Sequence, residues 1–93
     1  MVSKKVTIVN PSGLHLKPVG LLCNLASRYD SRIMVCNHKG KANAKSVLSV
    51  LGACVKCGDE IAIECEGTDE EEALQALAEA IESGLGEGRE PLS

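Results

Sequence analysis

The sequence predicts an α+β domain in the order βαββαβα, a four-stranded sheet with three helices on one face. Three observations carry this. Four short segments alternate apolar and polar residues with the period of a strand. Three other segments repeat apolar residues with the period of a helix. Two links between successive strands are helical and one is a hairpin, which suits a single layer of helices on one face of a sheet.

Lys5-Val6-Thr7-Ile8-Val9 reads as the first strand, with Val6 and Ile8 on one face. Pro11-Ser12-Gly13-Leu14-His15-Leu16-Lys17-Pro18 then reads as a strand exit, a tight turn, an exposed histidine and a helix start. Gly13 permits positive φ. Pro18 suits a first helical turn, where its missing N–H is no loss. The first helix is expected from Leu16 to Tyr29, on Leu22, Leu25, Ala26 and Tyr29, with Asp30-Ser31 ending it. Arg32 to Cys36 is the second strand, with Ile33 and Val35 on one face. Asn37-His38-Lys39-Gly40 is a polar turn in which His38 is solvated, and Lys41-Ala42-Asn43 is a short third strand.

Ser46 opens a second helix carrying Val47, Leu48, Val50 and Leu51, because serine is a favoured N-cap. Gly52 ends it, and Gly58-Asp59 makes the next turn. Ile61 to Cys65 is the fourth strand, with Ile61, Ile63 and Cys65 facing inward. Thr68 with Glu71, or Asp69 with Glu72, offers a capping box for the last helix. That helix runs to about Ser83 on Ala73, Leu74, Leu77 and Ile81. Its acidic start, Asp69 to Glu72, suits the positive end of a helix and needs no metal.

Ninety-three residues make one domain, expected over residues 1–86 with 87–93 as a flexible tail and fraying from Gly84 onward. Tyr29 is the only aromatic residue, so the core must be built from Val, Ile, Leu, Ala and Cys. A net charge of −3 without a long basic patch argues against nucleic acid. The absence of a long apolar run or a leader argues against membrane insertion and for a cytoplasmic location. A monomer without cofactors is expected. The five cysteines, Cys23, Cys36, Cys54, Cys57 and Cys65, include a C-x-x-C at Cys54 and Cys57. No second ligand pair follows it for zinc. It follows a helix, where a thioredoxin-like pair begins one.

The chemistry centres on His15. Near a helix start it lies where unpaired backbone N–H groups and the helix dipole favour an anion, and Lys17 adds a cation. A histidine beside an anion site suits a group that carries phosphate. It equally suits an ordinary polar cap.

Three segments in this order carry a resemblance: Gly13-Leu14-His15 with Pro18, Gly40-Lys41 with Asn43-Ala44-Lys45-Ser46, and Gly58-Asp59-Glu60-Ile61 running into Glu66-Gly67-Thr68-Asp69-Glu70. The chain resembles the HPr family, the histidine-containing phosphocarriers of the bacterial sugar phosphotransferase system. The resemblance implies an open-faced β-sandwich with antiparallel strand order 1-4-2-3. It implies phosphorylation of His15 on Nδ1 by enzyme I, with phosphate drawn from phosphoenolpyruvate, and transfer onward to the IIA domains of sugar permeases. Such a protein is a carrier and not an enzyme. The resemblance makes Ser46 a target of HPr kinase/phosphorylase, promoting contact with a catabolite-control repressor. It puts Leu14, Leu16, Val47, Leu48 and Leu51 on the docking surface. Leu16 and Lys17 depart from the family's alanine and arginine. Lysine keeps the charge at the phosphate but loses the bidentate fork. An HPr-like regulatory module with weakened carrier activity is the competing expectation.

Overall fold

The computed structural model describes residues 1–86. Its elements are β1 (Val2–Thr7), α1 (Leu16–Ala26), β2 (Arg32–Asn37), β3 (Gly40–Asn43), α2 (Val47–Gly52), β4 (Glu60–Glu66) and α3 (Glu70–Glu82). The strands form one antiparallel sheet in the order β1-β4-β2-β3, as the resemblance implied. Register follows the apolar alternation. Val6 lies opposite Ile61, Ile33 opposite Cys65, and Val35 opposite both Ile63 and Ala42. These side chains form the buried face.

Against that face pack Val19, Leu22 and Ala26 of α1, Val50 of α2, and Ala73, Leu77, Ala78 and Ile81 of α3. The buried core is entirely aliphatic apart from thiols, with Tyr29 only partly buried at its margin. The other sheet face is polar: Lys41 and Glu64 form an ion pair at 2.9 Å there, and Arg32 lies opposite Glu66.

The first strand is Val2–Thr7 rather than Lys5–Val9, because its pairing with β4 runs from Val2 opposite Cys65 to Thr7 opposite Glu60. Three helix ends also differ from expectation. The first helix stops at Ala26 rather than Tyr29. The amides of Arg28 and Tyr29 donate to Leu25 and Ala26 at 3.1 and 3.2 Å, tightening the exit, while the Ser27 hydroxyl bonds the Cys23 carbonyl at 2.8 Å. Neither predicted capping box forms on α3. Asp69 is the N-cap but makes no cap bond. Its carboxylate instead accepts from the amides of Asp30 and Ser31, at 2.8 and 2.9 Å, and from the Ser31 hydroxyl. Glu70 reaches back to the Gly67 amide at 3.2 Å.

The exit of α3 also has a closure that the composition did not suggest. Gly84 (φ 95°) donates to Ile81 at 3.1 Å and Leu85 to Ala80 at 3.0 Å, a Schellman closure. Leu85 is buried against the core. Fraying from Gly84 is therefore corrected, while the expected tail at 87–93 lies outside the described residues.

Asp69 thus ties the start of α3 to the start of β2. The Ser31 hydroxyl first, and the Asp30 amide next, hold its carboxyl below the ordinary value. A depressed carboxyl contributes stability above its unfolded pKa, about 3.9, and loses it as pH falls through the folded value. Asp69→Asn is expected to lower the thermal midpoint at neutral pH, with the gap to the parent closing as pH falls below the ordinary carboxylate range and through the depressed folded value. Melting curves across this range check it; a gap of constant size would assign the loss to something other than ionisation.

Candidate functional site

The site is built on the turn between β1 and α1. The Gly13 amide donates to the Asn10 carbonyl at 3.0 Å, and the Asn10 side-chain amide donates to the Gly13 carbonyl. Gly13 has φ +65°, and a Cβ there would lie 2.8 Å from both the Lys56 Cα and the Val55 carbonyl oxygen. The turn therefore rests directly on the backbone between α2 and β4. The Leu14 amide donates to the Val55 carbonyl at 2.9 Å. Below it, Ile8 donates to Asp59 at 2.9 Å and accepts from Gly58 at 2.7 Å. Sequence reading found the glycine but not its seat, because nothing local to Gly13 names a partner more than forty residues away.

Leu14 is a correction. Expected on the docking surface, it is 5% exposed and belongs to the core. Its side chain anchors the turn from below, and a side chain so placed has no surface to offer a partner.

His15 is the N-cap of α1 and is exposed, with φ −97° and ψ 177°. Its carbonyl accepts from Val19 at 2.9 Å, and its side chain makes no cap bond. A helix start leaves its first amides without intrahelical partners. Pro18 has no N–H, so the amides of Leu16 and Lys17 are the ones left over. The first turn carries no acidic side chain to compete for them. Leu16 is 62% exposed and Lys17 is exposed beside it. The arrangement has what an anion needs: two backbone donors, the positive end of a helix and an ammonium group.

Ser46 is the N-cap of α2, and its Oγ accepts from the Ser49 amide at 3.3 Å. Val50 faces the core; Val47 and Leu51 are half-buried; Leu48 is 83% exposed. Two bonds that sequence reading missed fasten the surroundings of α2. The Asn37 side-chain amide donates to the Ala53 carbonyl at 3.0 Å, and the Lys45 ammonium to the Tyr29 carbonyl at 2.7 Å. Side chains reaching across the fold to a backbone carbonyl leave no periodic trace. His38 lies exposed in the β2–β3 turn. Among the described residues no three His, Cys, Asp or Glu side chains are grouped to hold a metal. No described helix is long and apolar enough to cross a membrane.

A sequence model described as "PTS HPr component phosphorylation site" matches residues 2–83. The chain belongs to the HPr family. The phosphocarrier protein HPr of Treponema pallidum is 40% identical over 77 residues, covering 83% of this chain and 88% of that one. A crystal structure of HPr from Thermoanaerobacter tengcongensis superposes with a TM-score of 0.90 at 38% identity, over 99% of this chain and all of that one. Crh, the catabolite repression protein of Bacillus subtilis, superposes with a TM-score of 0.72 at 33% identity, over 88% and 94% of the two chains. As an HPr-family member the protein is a phosphocarrier of the phosphotransferase system and not an enzyme.

The seat of Gly13 is testable without chemistry. Gly13→Ala puts a methyl into backbone atoms at a left-handed φ, a strain of about 1–3 kcal/mol before any clash. Urea unfolding should show at least that loss. A variant as stable as the parent would mean that the two loops separate freely.

Proposed function

We propose that His15 is the phosphate acceptor of this carrier, with Lys17 stabilising the phosphoryl group. The observation that carries the reading is the exposed imidazole at the start of α1, which makes no cap bond, beside helix-start amides that lack intrahelical partners. Phosphoryl transfer asks mainly for positioning and charge stabilisation. A carrier that meets two partners in turn needs its acceptor nitrogen in the open. Enzyme I is the proposed donor and IIA domains of sugar permeases the acceptors. A phosphoramidate suits this relay because the imidazole leaves readily once its other nitrogen is protonated. Docking falls to Leu16, Val47, Leu48 and Leu51, whose exposed or half-exposed apolar surface lies on α1 and α2.

Ser46 is the proposed second phosphorylation site, through an HPr kinase/phosphorylase and with a catabolite-control repressor as the partner that responds. Its half-exposed place at the start of α2, next to exposed Leu48 and Ser49, favours this, and its role as a cap is compatible with it. A second reading, a regulatory module with weakened carrier activity, is favoured by one feature, Lys17. It also has a precedent among the structural relatives in Crh, which is named for catabolite repression.

Incubation with enzyme I and labelled phosphoenolpyruvate tests the first reading. An acid-labile, base-stable label is expected on the parent and none on His15→Ala. Label that survives this change, or that appears on His38, overturns the assignment. In the same assay the rate should fall in the order Lys17→Arg, parent, Lys17→Ala. Arginine should gain up to roughly tenfold, which is about 1.4 kcal/mol of transition-state stabilisation. A Lys17→Arg protein slower than the parent would point to a site rebuilt around lysine and support the regulatory reading.

Ser46→Asp should keep its fold, since an acidic group at a helix N-terminus is favourable by about 0.3–1 kcal/mol. Its exchange of phosphate with enzyme I should slow. Circular dichroism reads the first expectation and quench kinetics the second; unchanged kinetics would remove Ser46 from the regulatory account.

A further inference from the structure

We infer that Cys54 and Cys57 form a thiol–disulfide exchange site, and that closing the disulfide unseats the turn carrying His15. The clause about His15 rests on its proposed role as phosphate acceptor; the chemistry at the thiols does not.

Cys54 directly follows the C-cap of α2 and has φ 54°. Glycine is the usual occupant of such a left-handed position after a helix. The only other non-glycine residue with positive φ among those described is Leu85, which is buried in the core, so packing offsets its strain. Cys54 is exposed and has no such compensation. A strained, solvent-facing residue with a nucleophilic side chain is a place to look for function. Three residues on, Cys57 is half-buried, and the two thiols are not joined.

The two residues between the thiols are those that seat the His15 turn. Val55 supplies the carbonyl that accepts from Leu14, and the Cα of Lys56 lies under Gly13. The Cys57 nitrogen lies 3.0 Å from the place a Gly13 Cβ would take. No other cysteine is so placed. Cys23 and Cys65 are buried in the core, where burial pushes their thiols up, and Cys36 is raised by burial and by Glu64.

The co-reactant is a small-molecule disulfide of the glutathione type. The Cys54 thiolate attacks one of its sulfurs, a mixed disulfide forms and one glutathione leaves. The Cys57 thiolate then attacks the Cys54 sulfur, the protein disulfide forms and the second glutathione leaves. Two protein thiols give up two electrons and two protons, and the small disulfide takes them.

Closure has a geometric demand. The Cα atoms must come within about 4.4–6.8 Å, the span of a four-residue turn. In the reduced protein the turn falls later, on Lys56–Asp59. The Asp59 amide bonds the Lys56 carbonyl at 3.0 Å, and the Lys56 amide bonds the Asp59 carboxylate at 2.9 Å. Moving the turn back to residues 54–57 draws the Val55 carbonyl away from the Leu14 amide. Oxidation thus acts on the phosphorylation turn through a single backbone hydrogen bond.

The test uses the full chain, oxidised glutathione as the reagent, and three readouts. The peptide holding both cysteines should lose two hydrogens in mass. Exchange of the Leu14 amide should quicken at least roughly tenfold and return on reduction. Labelling of His15 by enzyme I should slow in the oxidised protein. Cys57→Ser should stop at the glutathione adduct and keep the slow Leu14 exchange of the reduced parent. An adduct on the parent that never closes overturns the inference. So does a disulfide with unchanged Leu14 exchange or labelling rate, or fast exchange in Cys57→Ser. If the reduced parent takes no label at all, the role of His15 fails, while mass and amide exchange still decide what happens at the thiols.

Discussion

Everything at the site depends on one close approach of two backbones, Gly13 over Val55 and Lys56. The contact is possible only because Gly13 has no side chain, since a Cβ would lie 2.8 Å from main-chain atoms on the opposite segment. Main-chain atoms cannot rotate out of the way as a side chain can. The Leu14–Val55 bond and the Ile8 bonds to Gly58 and Asp59 continue the seam below it. The exit of β1 is thereby locked to the entry of β4, the strand with which β1 pairs. The loop that presents His15 is an extension of the sheet rather than a free excursion from it.

Burial along the loop shows what this achieves. Gly13 and Leu14 are buried, His15 to Lys17 are exposed, and Pro18 and Val19 are buried again. Three residues are raised into solvent between two anchors one helical turn apart. An exposed acceptor ordinarily suffers a loss of positioning, and phosphoryl transfer relies on positioning. For His15 in the proposed acceptor role, the buried residues on either side hold the backbone while the exposed ring makes no cap bond. The same logic explains why Leu14 lies inward although His15, Leu16 and Lys17 after it face out.

The legible part of the fold was the part written in periods. Alternation placed Val6, Ile8, Ile33, Val35, Ile61 and Ile63 on the inner face, and helical spacing placed Leu22, Ala73, Leu77 and Ile81 in the core. The site could be located because a glycine, a histidine and a proline stand in the order that a turn and a helix start require. What escaped were contacts between polar groups far apart in the chain. Asp69 is the N-cap, one of the two capping-box candidates with Thr68, but the amides of Asp30 and Ser31 and the Ser31 hydroxyl draw its carboxylate across to the start of β2. A local rule weighs only local donors, and three donors brought by tertiary structure outweighed them. The exit of α3 escaped for a related reason. A stretch rich in glycine and charge looks unstructured until Gly84 is seen turning Leu85 back into the core.

The two helix starts differ in what they leave available. At α1 the cap side chain makes no cap bond and the first amides have no intrahelical partner, so an added phosphate would find donors. At α2 the Ser46 hydroxyl already holds the Ser49 amide. A phosphate on that oxygen would bring about 1.5–2 negative charges to the positive end of a helix and leave an ester oxygen near the amide. The helix has no reason to unwind. The consequence must fall outside it, on Leu48 and on half-buried Val47. An apolar contact surface would acquire a dianion at its edge. A partner that packs apolar groups there would have to desolvate or repel the new charge, whereas one that brings arginines would gain charge-assisted hydrogen bonds. One change at a cap thereby sorts partners by charge without refolding anything. Carrier and regulatory roles are then compatible in one chain, because each draws on a different property of the same surface.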